Sequence, residues 1–164
     1  MTKQYFIEIA SYNIWANDIV IGWLEKISEE QWNQPIVSSF GNIGATVLHI
    51  AGAEKVWLDR FEKVESPVWL PNVYKGGKEE LIGIWKKASA DLKNRMETFD
   101  EKMLAETLRL KRLNGEWNEV PYFAAFAHIF NHSTFHRGQI VTMLRQAGFT
   151  GVSSTDMLGY FRKS

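Results

Sequence analysis

Three of the four histidines in the chain, His128, His132 and His136, are spaced four residues apart. On a helix, a step of four residues advances about 40° beyond a full turn, so these imidazoles would form one narrow stripe. The stripe is about 12 Å long, and one metal ion can be reached by an adjacent pair but not comfortably by all three. The spacing therefore predicts a chelating pair, either His128–His132 or His132–His136, with a further ligand from another element.

His49 is the remaining histidine, and it shares an apolar helix face with Ala53, Val56 and Trp57. A lone histidine in such a position is most simply a hydrogen-bonded core residue. That interpretation does not explain why a second helix carries a stripe of histidines that would face the same bundle interior. Buried imidazoles without hydrogen-bond partners lower stability. We therefore expect His49 and the stripe to share one metal site.

Two familiar metal patterns are absent from the sequence. The Glu-x-x-His pattern of di-iron bundles is missing, because Thr46, Ala125, Ile129 and Ser133 precede the histidines by three residues. The His-Glu-x-x-His pattern of metalloproteases is missing too, since Ser133 stands at the glutamate position. What remains is a mononuclear three-histidine site, whose nitrogen ligands suit zinc, nickel, copper or iron(II).

The chemistry of such a site depends on its open coordination positions. On zinc, an open position holds a water that ionises near neutral pH, or it binds a thiolate. The histidine stripe carries no carboxylate that would act as a general base. This weakens the hydrolase hypothesis and slightly favours thiolate chemistry, in which the metal itself promotes deprotonation.

Four further residues are considered as possible parts of the pocket around the metal site. Gln139 shares the stripe and either orients a ligand or is a polar residue at the pocket edge. Tyr12 either supplies a hydroxyl to the site or is a core tyrosine with its hydroxyl satisfied, and Trp57 either walls the pocket or simply packs. Arg137 points away from the stripe, which predicts an ion pair at the surface or at a dimer interface.

The composition limits the classes of protein. With 164 residues, 45% hydrophobic and 23% charged, the chain is expected to be one soluble domain over residues 1–164. Its net charge is zero and basic residues occur at most in pairs, which argues against nucleic-acid binding. The absence of cysteine excludes disulfides and thiol catalysis by the protein. No signal pattern or spanning stretch is found, so we expect a cytoplasmic protein with no membrane contact.

Hydrophobic periodicity predicts four long helices. They cover approximately residues 5–23, 43–63, 78–99 and 121–146, the last ending before Gly148. The predicted buried face of the first helix is formed by Tyr5, Ile9, Tyr12, Ala16, Ile19 and Trp23. The spacing of Ser28 and Gln31 predicts a capping box, and Asn42 or Ser39 is expected to cap the second long helix.

The segments between the predicted helices indicate how the helices are connected. Pro67, Pro71 and Gly76–Gly77 interrupt residues 65–77, which are expected to form a crossing connection. Strand-like runs on both sides of Asn114-Gly115 predict a small hairpin, and Pro121 suits the first turn of the helix that follows. The predicted fold is therefore all-α, a four-helix bundle with a long connection between helices two and three and a hairpin before helix four.

Three stretches resemble the signatures of DinB-like proteins, the DinB/YfiT superfamily. They are "SYNIWAN" from Ser11, "HIAGAEKVWLDRF" from His49 and "HIFNHSTFHRGQI" from His128, and they occur in order along essentially the whole chain. The resemblance implies a four-helix bundle in which His49, His132 and His136 hold one divalent metal, often nickel or zinc, with iron as a further candidate. It also implies that His128 lines the pocket, and that the protein forms a homodimer.

The resemblance suggests two classes of function. In the first, the protein is a metal-dependent enzyme, a transferase or hydrolase, since characterised relatives use low-molecular-weight thiols such as bacillithiol or mycothiol. In the second, it is a non-catalytic metal-binding or ligand-binding module with a structural or vestigial site. The family name comes from the DNA-damage induction of a founding member, which links it to stress response but not to DNA binding.

Overall fold

The computed structural model describes residues 1–112 and 115–162. Its helices are α1 Lys3–Leu24, α2 Glu29–Asn33, α3 Ile43–Phe61, α4 Leu70–Val73, α5 Lys78–Thr98, α6 Tyr122–Gln146 and α7 Met157–Phe161. A 3-10 helix covers Glu101–Ala105, and the strands are β1 Thr107–Lys111 and β2 Trp117–Pro121. The prediction of an all-α bundle is confirmed, with α1, α3, α5 and α6 as its long helices. None of the helices in the described ranges is long and apolar enough to cross a bilayer.

The long helices are not arranged in chain order around the bundle. Helices α1 and α3 each pack against both α5 and α6, so α1 lies diagonally opposite α3, and α5 opposite α6. Residues 25–42 and 99–121 therefore link diagonal helices, whereas residues 62–77 link neighbours. The sequence predicted the long connection between α3 and α5, and the structure adds two more over residues 25–42 and 99–121. These two are long because a chain that joins diagonal helices must cross the end of the bundle.

Local signals at the element ends were largely confirmed. Ser28 and Gln31 form a reciprocal capping box at α2, and the Asn42 side chain accepts from the backbone N–H of Ala45 at the start of α3. Gly148, just past α6, has a φ of 82°, a left-handed conformation that a glycine adopts without strain. Pro121 differs from the prediction, since its pairing with Thr107 makes it the last residue of β2 and the N-cap of α6.

The predicted hairpin is also confirmed. Strands β1 and β2 are antiparallel, with Leu108 opposite Val120 and Leu110 opposite Asn118. Leu108 and Leu110 are buried, so this face of the hairpin packs onto the bundle beside the first turns of α6. The predicted turn residue Asn114 lies outside the described residues.

The core consists of two apolar clusters separated by a polar layer. One cluster lies at the end of the bundle that contains the start of α3 and the end of α6, and it includes Val20, Val47, Trp85 and Ile140. The other lies towards the hairpin and includes Phe6, Phe61, Leu92 and Phe126. The buried polar side chains between them are Asn13, Asn17, Glu54, Ser89, Ser133 and Arg137.

The polar layer corrects the predicted face of α1. Tyr5 is 47% exposed, and Ile9 and Ile19 are only half-buried. The buried face instead contains Asn13 and Asn17, both of which belong to the polar layer. Tyr12, Ala16 and Trp23 of the predicted face are buried. Apolar periodicity takes no account of asparagines, so the predicted face is rotated from the observed one towards Tyr5, Ile9 and Ile19.

Candidate metal centre

Three histidines from two adjacent helices converge on one point. His49 lies at the middle of α3, while His132 and His136 lie one turn apart on α6. The Nε2 atom of His132 is 2.9 Å from that of His49 and 3.1 Å from that of His136. One ligand atom from each histidine lies within 4.8 Å of the others. Of the two pairs that the spacing left open, the structure brings His132–His136 together with His49 and leaves His128 outside the group.

The hydrogen bonding of His136 determines its tautomer. Its Nδ1 lies 2.6 Å from Oε1 of Gln139, and an amide oxygen only accepts, so Nδ1 carries the hydrogen. In the neutral ring, Nε2 therefore presents a lone pair to His132. The amide nitrogen of Gln139 donates to Oγ of Ser39 at 3.2 Å, which ties the amide to the connection before α3. Gln139 thus orients His136, one of the two roles weighed for it from the sequence.

The spacing of the three nitrogens suits one metal ion. Two nitrogens bound at about 2.0–2.1 Å from an ion lie about 2.8–3.0 Å apart at a right angle and about 3.3–3.4 Å apart in a tetrahedron. The two separations from Nε2 of His132, 2.9 and 3.1 Å, fall within this interval. A single hydrogen on Nε2 of His132 cannot point well at both neighbours, whereas a cation would accept all three lone pairs. The residues present therefore fit a divalent transition metal.

The environment keeps the imidazoles uncharged. Burial, together with the charge of His136, lowers the pKa of His49 to about 4. Burial and the other three histidines lower the pKa of His132 to about 3. Burial also lowers the pKa of His136, although its hydrogen bond to Gln139 opposes the shift. All three are neutral at pH 7, the form that binds metals.

Aromatic rings surround the histidine group. The ring of Phe40 stacks on His49 with centroids 4.2 Å apart and lies 5.5 Å from His136. Trp69 meets His49 edge to face at 5.6 Å. Phe40 and Trp69 come from the connections before and after α3, and sequence reasoning did not select either residue. No periodic pattern marks them, since both lie outside the long helices.

His128 and Trp57 line a cleft next to the histidine group rather than the group itself. The cleft has a volume of about 710 Å³ and lies between α3, the hairpin and the first turns of α6. The rings of Trp57 and His128 are 5.2 Å apart, and the His128 ring is 5.8 Å from that of His132. Partial burial and the charge of Arg60 lower the pKa of His128.

Tyr12 packs against the segment that follows α6. Its hydroxyl donates to the carbonyl oxygen of Thr155 at 2.9 Å, and the side chain is buried. The guanidinium of Arg137 lies over its ring at 5.6 Å. Of the two roles weighed for Tyr12, these contacts favour the core tyrosine with a satisfied hydroxyl.

Arg137 does not have the surface position expected from the sequence. It is 2% exposed, and its Nη1 donates to the side-chain oxygens of Asn13 and Asn17 at 2.5 and 2.8 Å. The prediction of a surface or dimer-interface ion pair is therefore wrong. The reason is that the side of α6 opposite the histidines faces α1, whose buried face is polar at this level.

Glu54, like Arg137, binds several side chains of the polar layer, and it is fully buried. Its carboxylate accepts hydrogen bonds from Asn13, Ser89 and Ser133 at 2.9, 2.6 and 3.0 Å. It lies outside the histidine group. Because Ser133 follows His132 directly, this layer fixes the rotation of α6 that turns its histidines towards α3.

Known proteins provide an independent comparison. The family model described as "DinB family" matches residues 1–162. The protein DinB of Bacillus subtilis (strain 168) is 25% identical over 152 residues, covering 90% of this chain and 88% of that protein.

Two solved structures share the fold. A DinB-like protein from Bacillus cereus ATCC 10987 superposes with a TM-score of 0.72 at 19% identity, covering 93% of this chain and 97% of that one. A DinB-like protein from Bacillus subtilis gives a TM-score of 0.69 at 16% identity, covering 90% and 97%. Since the family model covers nearly every residue, the chain belongs to the DinB family.

Proposed function

We propose that the protein is a metal-dependent enzyme that binds one divalent transition metal, nickel or zinc with iron as a further candidate, through His49, His132 and His136. The observation that carries this proposal is the convergence of three imidazole nitrogens at 2.9 and 3.1 Å. Three neutral ligands contribute no negative charge. The positive charge of the ion would therefore remain available to stabilise an anion at an open position.

The reaction best supported is the activation of a low-molecular-weight thiol for transfer to a second substrate. A bound divalent metal supplies stabilisation of a thiolate or a hydroxide at neutral pH. The protein contributes the orientation of His136 through Gln139 and an aromatic wall of Phe40 and Trp69 that restricts water. Among the described residues the histidine group contains no carboxylate, so a hydrolase would lack a general base there.

Other parts of the proposal concern the surroundings of the site. His128 and Trp57 would line the approach to the metal from the adjoining cleft. Tyr12 would have a packing role, because its hydroxyl already donates to the carbonyl oxygen of Thr155. Homodimerisation and a role in stress response remain predictions from the family resemblance, and a cytoplasmic location remains a prediction from the sequence. Sedimentation equilibrium tests the homodimer.

The first experiment is elemental analysis of untagged protein after gel filtration without chelator. We expect near-stoichiometric nickel, zinc or iron in the wild type, and none in a His49→Ala/His132→Ala variant. A Lys87→Ala variant on the exposed face of α5 serves as the matched surface control. Absence of metal from the wild type, even after reconstitution, would remove the basis of the proposal.

A second experiment separates the enzyme from the non-catalytic alternative. Cobalt(II) is loaded in place of the native metal, and a small thiol such as 2-mercaptoethanol is titrated in. A thiolate-to-cobalt charge-transfer band is expected, because an open position admits the sulfur. A metal-loaded protein that gives no such band has a closed site, and the structural module would then be the better interpretation.

A further inference from the structure

The cleft beside the histidine group has the size and lining of a binding site for a small molecule. Its volume of about 710 Å³ falls in the usual range of ligand pockets, roughly 300–1,000 Å³. Trp57, Leu110 and Val120 form apolar walls, while Arg60 and His128 provide polar groups. One set of walls comes from α3 and the other from the hairpin, so the cleft exists only because the hairpin packs beside α6.

Among the described residues, Arg60 has no hydrogen-bond or ion-pair partner for its side chain. Its guanidinium lies over the Trp57 indole at 4.7 Å. Within the described ranges it forms no ion pair and its side chain donates no hydrogen bond, and its Nε is buried without a partner. A buried donor left unpaired costs stability, and more so when it is charged. Stacking uses the face of the guanidinium and leaves its in-plane N–H groups available to a ligand.

The charges around the cleft favour an anion. No carboxylate lines it among the residues that the structure describes. The other arginine of the lining, Arg112, is exposed and already lies 3.8 Å from a carboxylate oxygen of Glu116. Arg60 is therefore the cation that a ligand in the cleft would meet first. The planar fork of a guanidinium binds the two coplanar oxygens of a carboxylate through two parallel hydrogen bonds, and its single positive charge matches a singly charged group.

We propose that the cleft binds the carboxylate of a small amphipathic organic acid, with Arg60 paired to the carboxylate and Trp57, Leu110 and Val120 against the hydrocarbon part. The inference extends the proposed function to a class of substrate. It rests on the proposed function only for the reaction at the end of the ligand that lies away from the carboxylate. That end would pass His128, whose ring lies 5.8 Å from that of His132. Arg60 would thus select substrates that carry a carboxylate at some distance from the reacting atom.

The test uses calorimetric titration of the full chain with 4-phenylbutyrate, its neutral amide and the phosphonate of the same chain length. The protein is stripped of metal and dialysed free of chelator, so that no metal ion can bind the probes. We expect the carboxylate to bind at least about tenfold more tightly than the amide, as a charged hydrogen bond implies. Arg60→Gln should remove this preference, and binding of the amide should change less than twofold.

Two further variants sharpen the test. Arg145→Gln, on the exposed last turn of α6, should bind all three probes as the wild type does. Arg60→Lys keeps the charge without the planar fork, so we expect it to bind the carboxylate several-fold more weakly than the wild type. It also keeps the test decisive if Arg60→Gln fails the check of folding by circular dichroism.

Three results would overturn the inference: equal binding of acid and amide, an Arg60→Gln variant with wild-type affinity for the acid, or tighter binding of the phosphonate than of the carboxylate. Because the titrations use metal-free protein, they are independent of whether the histidines bind a metal. Carboxylate binding through Arg60 in a protein that never takes up metal would overturn the proposed function alone.

Discussion

Gln139 accepts a hydrogen bond from Nδ1 of His136 at 2.6 Å and donates one to Oγ of Ser39 at 3.2 Å. One side chain thus fixes the tautomer of a histidine on α6 and ties α6 to the connection that carries Phe40. The same connection places the Phe40 ring against His49. Orientation of the imidazoles and closure of the aromatic wall are therefore coupled through Gln139.

Replacing Gln139 should weaken metal binding without removing a ligand. In a Gln139→Leu variant, His136 loses the acceptor that orients it, and we expect metal affinity to fall by about 10- to 100-fold. Competition with a chromophoric chelator measures the affinity. Gln146→Leu, on the exposed end of α6, is the matched control and should bind as the wild type does. An unchanged affinity in Gln139→Leu would mean that His136 is held by packing alone.

Substitutions of His132 and of His128, which are neighbours in the stripe, should have different effects on metal binding. His132→Ala removes the nitrogen closest to both partners, so the protein should retain no metal after gel filtration. His128→Ala leaves the histidine group intact, and we expect its metal affinity to fall by no more than about tenfold. Elemental analysis of the two variants side by side is the measurement. Equal retention of metal by both would refute the assignment of ligands.

The polar layer should dominate the stability of the bundle. Glu54→Gln removes the charge that balances the buried Arg137, and we expect the free energy of unfolding to fall by about 3–5 kcal/mol. Glu62→Gln, at the exposed end of α3, should change it by about 0.5 kcal/mol or less. Urea unfolding of the metal-free proteins provides both values.

A double-mutant cycle tests whether the two buried charges act together. We expect Glu54→Gln/Arg137→Gln to cost less than the sum of the single changes, because neither charge is then left uncompensated. Both residues bond to Asn13, from opposite sides. Additive costs would show that Glu54 and Arg137 stabilise the fold independently.

The metal-free protein should lose stability as the pH falls below about 6.5, the ordinary pKa of an exposed histidine. The folded state lowers the pKa of His49 to about 4 and that of His132 to about 3, so between these values and 6.5 the unfolded chain binds more protons. Protonation then favours unfolding, and the loss continues down to the folded pKa values. Urea unfolding at stepped pH measures the effect.

A His49→Gln/His132→Gln variant is the control for this pH dependence. It keeps every carboxylate, so acid effects common to both proteins cancel in the comparison. We expect its stability to fall less steeply between pH 6.5 and 4. Identical slopes in the two proteins would show that these imidazoles are not desolvated in the folded state.

Much of the fold was predictable because its signals are local. The capping box at Ser28, the cap at Asn42 and the hairpin flanking Gly115 depend on residues within a few positions of one another. Burial of polar side chains was not predictable in this way. Asn13, Asn17 and Arg137 look like surface residues in a sequence, and only partners on other helices make their burial favourable.

The sequence by itself determined the four long helices, the hairpin and a stripe of histidines too long for one ion, because helical periodicity is a property of neighbouring residues. The spacing left open which two of the three histidines face His49, although the family resemblance implied His132 and His136. The tertiary structure decides this pair, because it depends on how α6 is rotated against α3. The buried hydrogen bonds of Glu54 and Arg137 set that rotation. Their partners come from helices far apart in the chain, and so do the walls of the cleft around Arg60.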